Sequence, residues 1–264
     1  MEKLISQSPS LPVPQSAFLF LLDPPGDGAW NMAVDETLLE AAANGGQCSL
    51  RFYQWAVPTL SLGYFQAYAD RQRHASSRNC AAVRRTSGGG AILHDHELTY
   101  SLAVPDGHPL AANRLGTYRV VHEAIIRTLA KWGVEARLFE KPIAHPKPPV
   151  RPEPFLCFER RAAGDVVVGG EKIAGSAQRR CRGAVLQHGS VLLAKSAAAP
   201  ELNGLKELTA KPILVEEFLQ AWLEQLSETL AIHWRHGELS EEQRCRAERL
   251  AVEKYASAAW TNAR

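Results

Sequence analysis

The chain has 264 residues, 45% of them hydrophobic and 22% charged, enough apolar content for a sizeable core in a soluble protein. Thirty basic against 28 acidic residues leave a net charge of +2, which is no footprint for nucleic acid, although scattered Lys and Arg can still meet an acidic protein partner. Five cysteines at irregular spacings form no Cys-x-x-Cys pair, and the apolar run 18–22 is short, so a zinc ribbon, a disulfide framework and a membrane helix are all excluded.

Residues 1–16 are polar and proline-containing and read as a disordered lead. A helix is expected over 30–44, capped by Asn31, with Asp35 and Glu36 in its first turn and Gly45-Gly46 at its end. Strands are expected over 48–55 and 59–65, parted by Pro58, and over 81–85, 91–94 and 98–104 around a three-glycine turn. Leu115, Tyr118, Val121, Ile125, Leu129 and Trp132 then recur at three- and four-residue steps, an amphipathic helix over 113–132. Six prolines between 141 and 154 exclude a helix or central strand and predict a long functional loop that delivers Cys157. A hairpin about Gly169-Gly170 joins 165–168 to 171–174, and 184–193 reads as a further strand. The remainder is helical, over 215–230 and from a Ser240-Glu241-Glu242-Gln243 capping box to about 257. With no repeat and no linker, the expectation is one cytoplasmic α/β catalytic domain over 17–230. A helical C-terminal extension, 231–264, is expected to pack on it.

Three segments carry the chemistry. The first is Arg84-Arg85-Thr86-Ser87-Gly88-Gly89-Gly90-Ala91, where glycines let backbone N–H groups approach an anion or a carboxyl-derived group. Taken alone the signal is weak, because most such turns are only tight hairpin connections. The second is Lys172-Ile173-Ala174-Gly175-Ser176-Ala177-Gln178, a lysine among small residues, and the third is Gln187-His188-Gly189-Ser190. No phosphate loop, dinucleotide fingerprint or Gly-x-Ser-x-Gly elbow is present.

Together with Asn31 to Glu36, Arg51-Phe52-Tyr53, Leu62 to Gln66 and Lys254 to Ser257 with Trp260, these segments resemble the biotin/lipoate protein ligase catalytic family. The resemblance covers nearly the whole chain. It implies an α+β catalytic domain of mixed, largely antiparallel sheets with flanking helices. The family holds several chemistries. Its lipoate ligases activate lipoate with ATP and need no cysteine, whereas its octanoyltransferases pass the acyl group through a cysteine thioester. Cys157, upstream of Lys172, resembles the cysteine placement of the LipM-type octanoyltransferases.

The resemblance therefore implies Cys157 as acyl-thioester nucleophile and Lys172 as the cation that favours its thiolate and holds the carbonyl oxygen. It implies substrate contacts from Ser87, Gly88, Gly89, Gly90, His94, Gly175, Ser176, Ala177, His188 and Gly189, with Arg84 and Arg85 near the pocket mouth. Each has a plainer alternative. Most free cysteines are small buried hydrophobes, most lysines decorate surfaces, and His188 reads equally as a hydrogen-bonded core residue. His94-Asp95-His96 has His-x-His spacing but no third ligand nearby, so no metal is assigned. Cys48, Cys80, Cys181 and Cys245 read as structural or incidental.

The implied reaction needs no cofactor. Its implied partners are an acyl carrier protein as octanoyl donor and a lipoyl-domain protein, such as the glycine-cleavage H protein, as acceptor. The chain itself is read as monomeric, with no nucleic acid or membrane partner. Two other readings stay open, an ATP-dependent lipoate ligase of the same fold and a non-catalytic lipoyl-domain-binding protein.

Overall fold

The first apolar run forms a strand, β1 (Ala17–Leu22), buried on both faces and therefore continuous rather than alternating in hydrophobicity. The computed structural model describes residues 17–140, 153–209 and 212–264, so the expected lead over 1–16 and most of the proline-rich loop lie outside it. In chain order, β1 is followed by α1 (Gly28–Ala43), β2 (Ser49–Tyr53), β3 (Thr59–Leu62), β4 (Ala81–Arg84), β5 (Ile92–His94) and β6 (Glu97–Val104). Next come α2 (Pro109–Ala112), α3 (Arg114–Ala130), β7 (Ala136–Leu138), β8 (Val166–Val168), β9 (Glu171–Cys181) and β10 (Ala184–Leu192). The chain closes with α4 (Leu205–Leu208), α5 (Val215–Leu230), β11 (His233–His236), α6 (Glu241–Leu250), a π-helical turn (Ala251–Tyr255) and α7 (Ala258–Thr261).

The strands make two sheets, an eight-stranded one in the order β11-β1-β2-β6-β10-β9-β8-β7 and a three-stranded one in the order β4-β3-β5. Pairing is parallel only at β1–β11, β1–β2 and β3–β4; the remaining pairs are antiparallel. Alternation along the strands sorts the core into two layers. Phe18, Phe20, Phe52 and Tyr100 pack with Val121 and Ile125 of α3 and Phe218 and Trp222 of α5. Leu19, Leu21 and Leu186 pack on the opposite face with Met32, Val34 and Leu38 of α1 and Leu250 of α6. Helices thus cover both faces of the large sheet, as the mixed α/β reading requires. No helix among the described residues is long and apolar enough to cross a membrane.

Several expected details differ. The cap of α1 is Asp27, whose carboxylate accepts from Trp30 N at 2.8 Å, not Asn31. The earlier start moves Asp35 and Glu36 out of the first turn. Leu115, placed on the apolar stripe of α3, is 83% exposed in that helix's first turn. The strand expected to stop at 174 continues to Cys181, because Gly175 and Ser176 keep pairing with Ser190 and Gly189 of β10. Segment 231–264 is not purely helical, since β11 joins the large sheet beside β1 before α6 packs on α1.

A buried chain of hydrogen bonds ties α3 to the middle of this sheet. His122 Nδ1 donates to the Gly164 carbonyl at 2.6 Å, so its Nε2 accepts from Ser176 Oγ, also at 2.6 Å. Ser176 then has a lone pair left for the Tyr100 hydroxyl at 2.6 Å, and Tyr100 in turn accepts from Gln187 Nε2 at 2.8 Å. Every donor points the same way only while His122 is neutral. Burial pushes the His122 imidazole down to about 4, against the opposing pull of the Gly164 carbonyl and Asp165.

A folded value near 4 against an ordinary 6.5 sets a pH window. Between them the unfolded chain binds the extra proton, so this contribution to stability is full above the upper value and falls as pH drops toward the lower one. Urea unfolding of the wild type should lose roughly 3 kcal/mol across that interval from this group alone, by about 1.4 kcal/mol per unit. In His122→Gln this part of the slope should vanish even if the variant is less stable throughout.

Candidate active site

The three-glycine turn joins β4 to β5 and is held by one side chain. Arg85 is buried and donates from Nη2 to the Gly88 and Gly90 carbonyls at 2.9 and 2.7 Å, and from Nη1 to the Ser61 carbonyl at 2.8 Å. Burial pushes its guanidinium down to about 10. Gly89 takes φ +96°, a left-handed value that a side chain would strain. Arg85 is therefore a clamp that shapes the turn from within rather than a charge at the pocket mouth. Arg84 is displaced further. It is fully buried and donates to the carbonyls of Gly63, Gln66 and Thr261, away from the cleft.

Cys157 reaches the same turn through its backbone. Ala91 N donates to the Phe155 carbonyl at 3.2 Å, and Cys157 N donates to the Ala91 carbonyl at 2.7 Å. This short parallel bridge fixes a 3₁₀ turn, Cys157–Glu159, on the end of the glycine segment. The part of the proline-rich loop over 141–152 lies outside the described residues.

Lys172 enters from β9. Its side chain is buried, with Nζ 2.9 Å from Asp165 Oδ2 and 3.7 Å from Cys157 Sγ. The Phe158 ring adds a π face 5.1 Å from the same ammonium. Asp165 is itself buried and accepts from Ala162 N at 2.7 Å and from the Tyr118 hydroxyl at 2.9 Å. Burial, then the Asp165 charge, drive the Tyr118 phenol above its ordinary range, which keeps it a donor. A Cβ on Gly175 would stand 2.5 Å from Lys172 Cε, so only glycine leaves the lysine room.

These elements enclose a cleft of about 530 Å³, its open mouth included. Of the residues read from sequence as site residues, Cys157, Lys172, Arg85, Gly88, Gly89, His94, Gly175, Ser176, Ala177, His188 and Gly189 all line it. Ser87, Gly90 and Arg84 do not.

The wall opposite Lys172 is built on β10. His188 Nδ1 donates to Asp35 Oδ2 at 3.3 Å, leaving Nε2 to meet Ser87 Oγ at 2.5 Å. Asp35 also receives Arg51 Nη1 at 3.0 Å and the Tyr53 hydroxyl at 2.9 Å. Burial alone would raise the Asp35 carboxyl, but His188 and Arg51 together hold it below its ordinary range. His94 stacks on Trp55 at 3.8 Å and bonds through Nε2 to Ser61 Oγ at 2.7 Å and through Nδ1 to Glu97, so both ring nitrogens serve the protein. Sequence reasoning missed Asp165, Asp35, Tyr118 and His122. The available signal for Asp165 was a lone acid opening an apolar strand; Asp35 was read only as a first-turn acid of its helix.

A family model of the lipoyl protein ligase A/B catalytic domain matches residues 27–201. Octanoyltransferase LipM of Kyrpidia tusciae is 35% identical over 89% of this chain and 94% of its own length. Octanoyltransferase LipM of Geobacillus kaustophilus is 34% identical over 88% and 93%. Among solved structures, lipoate-protein ligase A bound with ATP superposes with a TM-score of 0.73 at 23% identity, covering 94% of this chain and 98% of that one. The bi-partite lipoate protein ligase of Thermoplasma acidophilum, studied with its E2 lipoyl domain, gives 0.73 at 23% identity over 94% and 96%. These two likenesses speak for the fold alone. Glycine turn, buried lysine and half-buried thiol thus meet in one cleft of a chain that belongs to the lipoyl protein ligase A/B catalytic domain family.

Proposed function

We propose that this protein is an octanoyltransferase of lipoate biosynthesis. It moves an octanoyl group from an acyl carrier protein, through a Cys157 thioester, to the lysine of a lipoyl domain such as that of the glycine-cleavage H protein. The observation that carries this reading is the Cys157 sulfur standing 3.7 Å from a buried ammonium in the wall of the cleft. An adenylate-forming ligase of this fold has no use for a thiol there. The shared name of the relatives, Octanoyltransferase LipM, supports the same choice.

In the first half-reaction Cys157 Sγ attacks the donor thioester carbonyl. A new C–S bond forms, the bond to the carrier's sulfur breaks, and that sulfur leaves with the proton Cys157 gave up. In the second, the acceptor amine attacks the Cys157 thioester. The amide C–N bond forms, the C–S bond breaks, and the proton shed by the amine returns to Sγ. In both, negative charge grows on the carbonyl oxygen; Cys157 Sγ carries it before the first attack and regains it as the leaving sulfur in the second. The Lys172 ammonium is already beside Cys157 Sγ and needs no reorganisation to stabilise the charge there. Asp165 keeps it there.

The purified enzyme, mixed with octanoyl-carrier protein and no ATP, should gain one octanoyl group by intact mass, removable with hydroxylamine. Cys157→Ala should gain none, whereas substitution of the distant Cys181 should leave loading intact. Product that requires ATP and free lipoate would replace this reading with the ligase one.

Lys172→Met keeps most of the apolar stem and removes the charge. Single-turnover acyl transfer should fall about 10²-fold or more, the cost of losing one preorganised donor. Because that variant also leaves Asp165 buried and unpaired, chemical denaturation must be run beside it, with a loss of about 3–5 kcal/mol expected. Lys172→Met/Asp165→Leu should recover stability but not transfer. Transfer that returns with stability would make Lys172 purely structural.

Burial of the acyl tail sets a third expectation. A hexanoyl donor, two methylenes shorter, should lose about 1.6 kcal/mol of binding, roughly tenfold in kcat/KM. Equal kcat/KM for the two donors would show that the tail is not held in the cleft.

A further inference from the structure

Beside the cleft mouth the surface carries an aromatic pair framed by guanidinium groups. Phe65 is 75% exposed, and its ring meets Tyr64 edge-on at 5.0 Å. It stands over the glycine turn, since a Cβ built on Gly88 would lie 3.8 Å from Phe65 Cδ2. Arg264 covers both rings, 4.5 Å from Tyr64 and 5.4 Å from Phe65, and Arg179 approaches Tyr64 at 5.7 Å. Arg179 follows Ala177 along β9, and Ala177 lines the cleft, so patch and mouth are one continuous surface.

Among the described residues neither Arg179 nor Arg264 pairs with a carboxylate. A hydrogen bond with Arg264, and then its charge, holds the Tyr64 hydroxyl below its ordinary range. Large exposed aromatics mark contact surfaces, and Tyr and Arg are the residues that most often anchor them. Two uncompensated arginines select an acidic partner and speed its arrival. A net charge of +2 and so local a patch do not suit a nucleic-acid backbone.

We propose that Tyr64, Phe65, Arg179 and Arg264 form the landing surface for the acyl acceptor, a folded protein domain with carboxylates around the lysine it offers. The assignment to the acceptor follows from reach. A lysine amine hangs on a four-carbon stem, so its domain must sit directly against the mouth to bring the amine to Cys157. A donor that carries its thioester on a longer arm can stay further off. The proposal rests on the acyl-transfer reading of the cleft.

The two half-reactions separate them. Cys157 is loaded from octanoyl-N-acetylcysteamine, a small thioester with no protein surface, and then discharged onto a purified lipoyl domain at several salt concentrations. Arg179→Glu/Arg264→Glu should load as the wild type does, which also reports an intact cleft. Its KM for the lipoyl domain should rise about fivefold or more, and the salt dependence of discharge should flatten. Phe65→Ala should raise the same KM while leaving the salt dependence in place. Unchanged KM and salt dependence in the double variant would overturn the proposal. So would slower loading from octanoyl-carrier protein with normal discharge, which would give the surface to the donor. A wild type that fails to load at all would overturn the acyl-transfer reading, and this inference with it.

Discussion

A buried ammonium cannot stand alone, and the site is organised around that constraint. Lys172 is only 6% exposed, so it requires a carboxylate, and Asp165 is placed to supply one by the tight hairpin between β8 and β9. Asp165 in turn needs donors, which come from its own turn at Ala162 and from Tyr118 on α3. Gly175 withholds a side chain from the volume the lysine stem occupies. Each requirement calls in the next, until a helix, a hairpin and the sheet centre all take part in holding one charge beside one sulfur.

The facing wall solves the same problem with opposite signs. There the buried charge is Asp35, and it is answered by Arg51 and Tyr53 from β2 and His188 from β10. His188 passes the constraint to Ser87 at the root of the glycine turn. The cleft therefore lies between two polar frameworks whose groups are occupied with one another. Such groups present little unsatisfied polarity to an alkyl chain, and satisfied networks of this kind resist rearrangement.

Sequence periodicity read well wherever an element is long and one face of it is buried. The helix expected over 215–230 coincides with α5, because Phe218, Trp222 and Leu226 all face one core. It failed where pairing, not pattern, decides. β7 and β11 are strands of three and four residues at the two ends of the large sheet, too short for a pattern to register, and they exist because a neighbour offers free backbone groups. β1 was visible only as an apolar run. At the site, motif resemblance drew attention to Cys157, Lys172 and the glycine turn. It put Arg84 and Arg85 near the pocket mouth, whereas both turn onto main-chain carbonyls, and it was silent on Asp165 and Tyr118, which act through contacts distant in sequence.

Arg84 and Arg85 are neighbours on one extended segment, so their side chains leave in opposite directions. One guanidinium gathers the carbonyls of Gly63, Gln66 and Thr261; the other gathers those of Ser61, Gly88 and Gly90. Both are spent on main-chain oxygens, whose identity does not depend on the residues that carry them. The bonds themselves therefore do not depend on the side chains of Gln66 or Thr261, whereas Gly63 is fixed by its close approach to the Gly89 carbonyl and Gly89 by its positive φ. The arginines themselves are not free, for an Arg-to-Lys exchange keeps the charge and loses the planar fork that spans several acceptors. In this pair the mildest codon change is a severe structural one, and the two positions would fail differently, one releasing the 260–261 segment and the other the glycine turn.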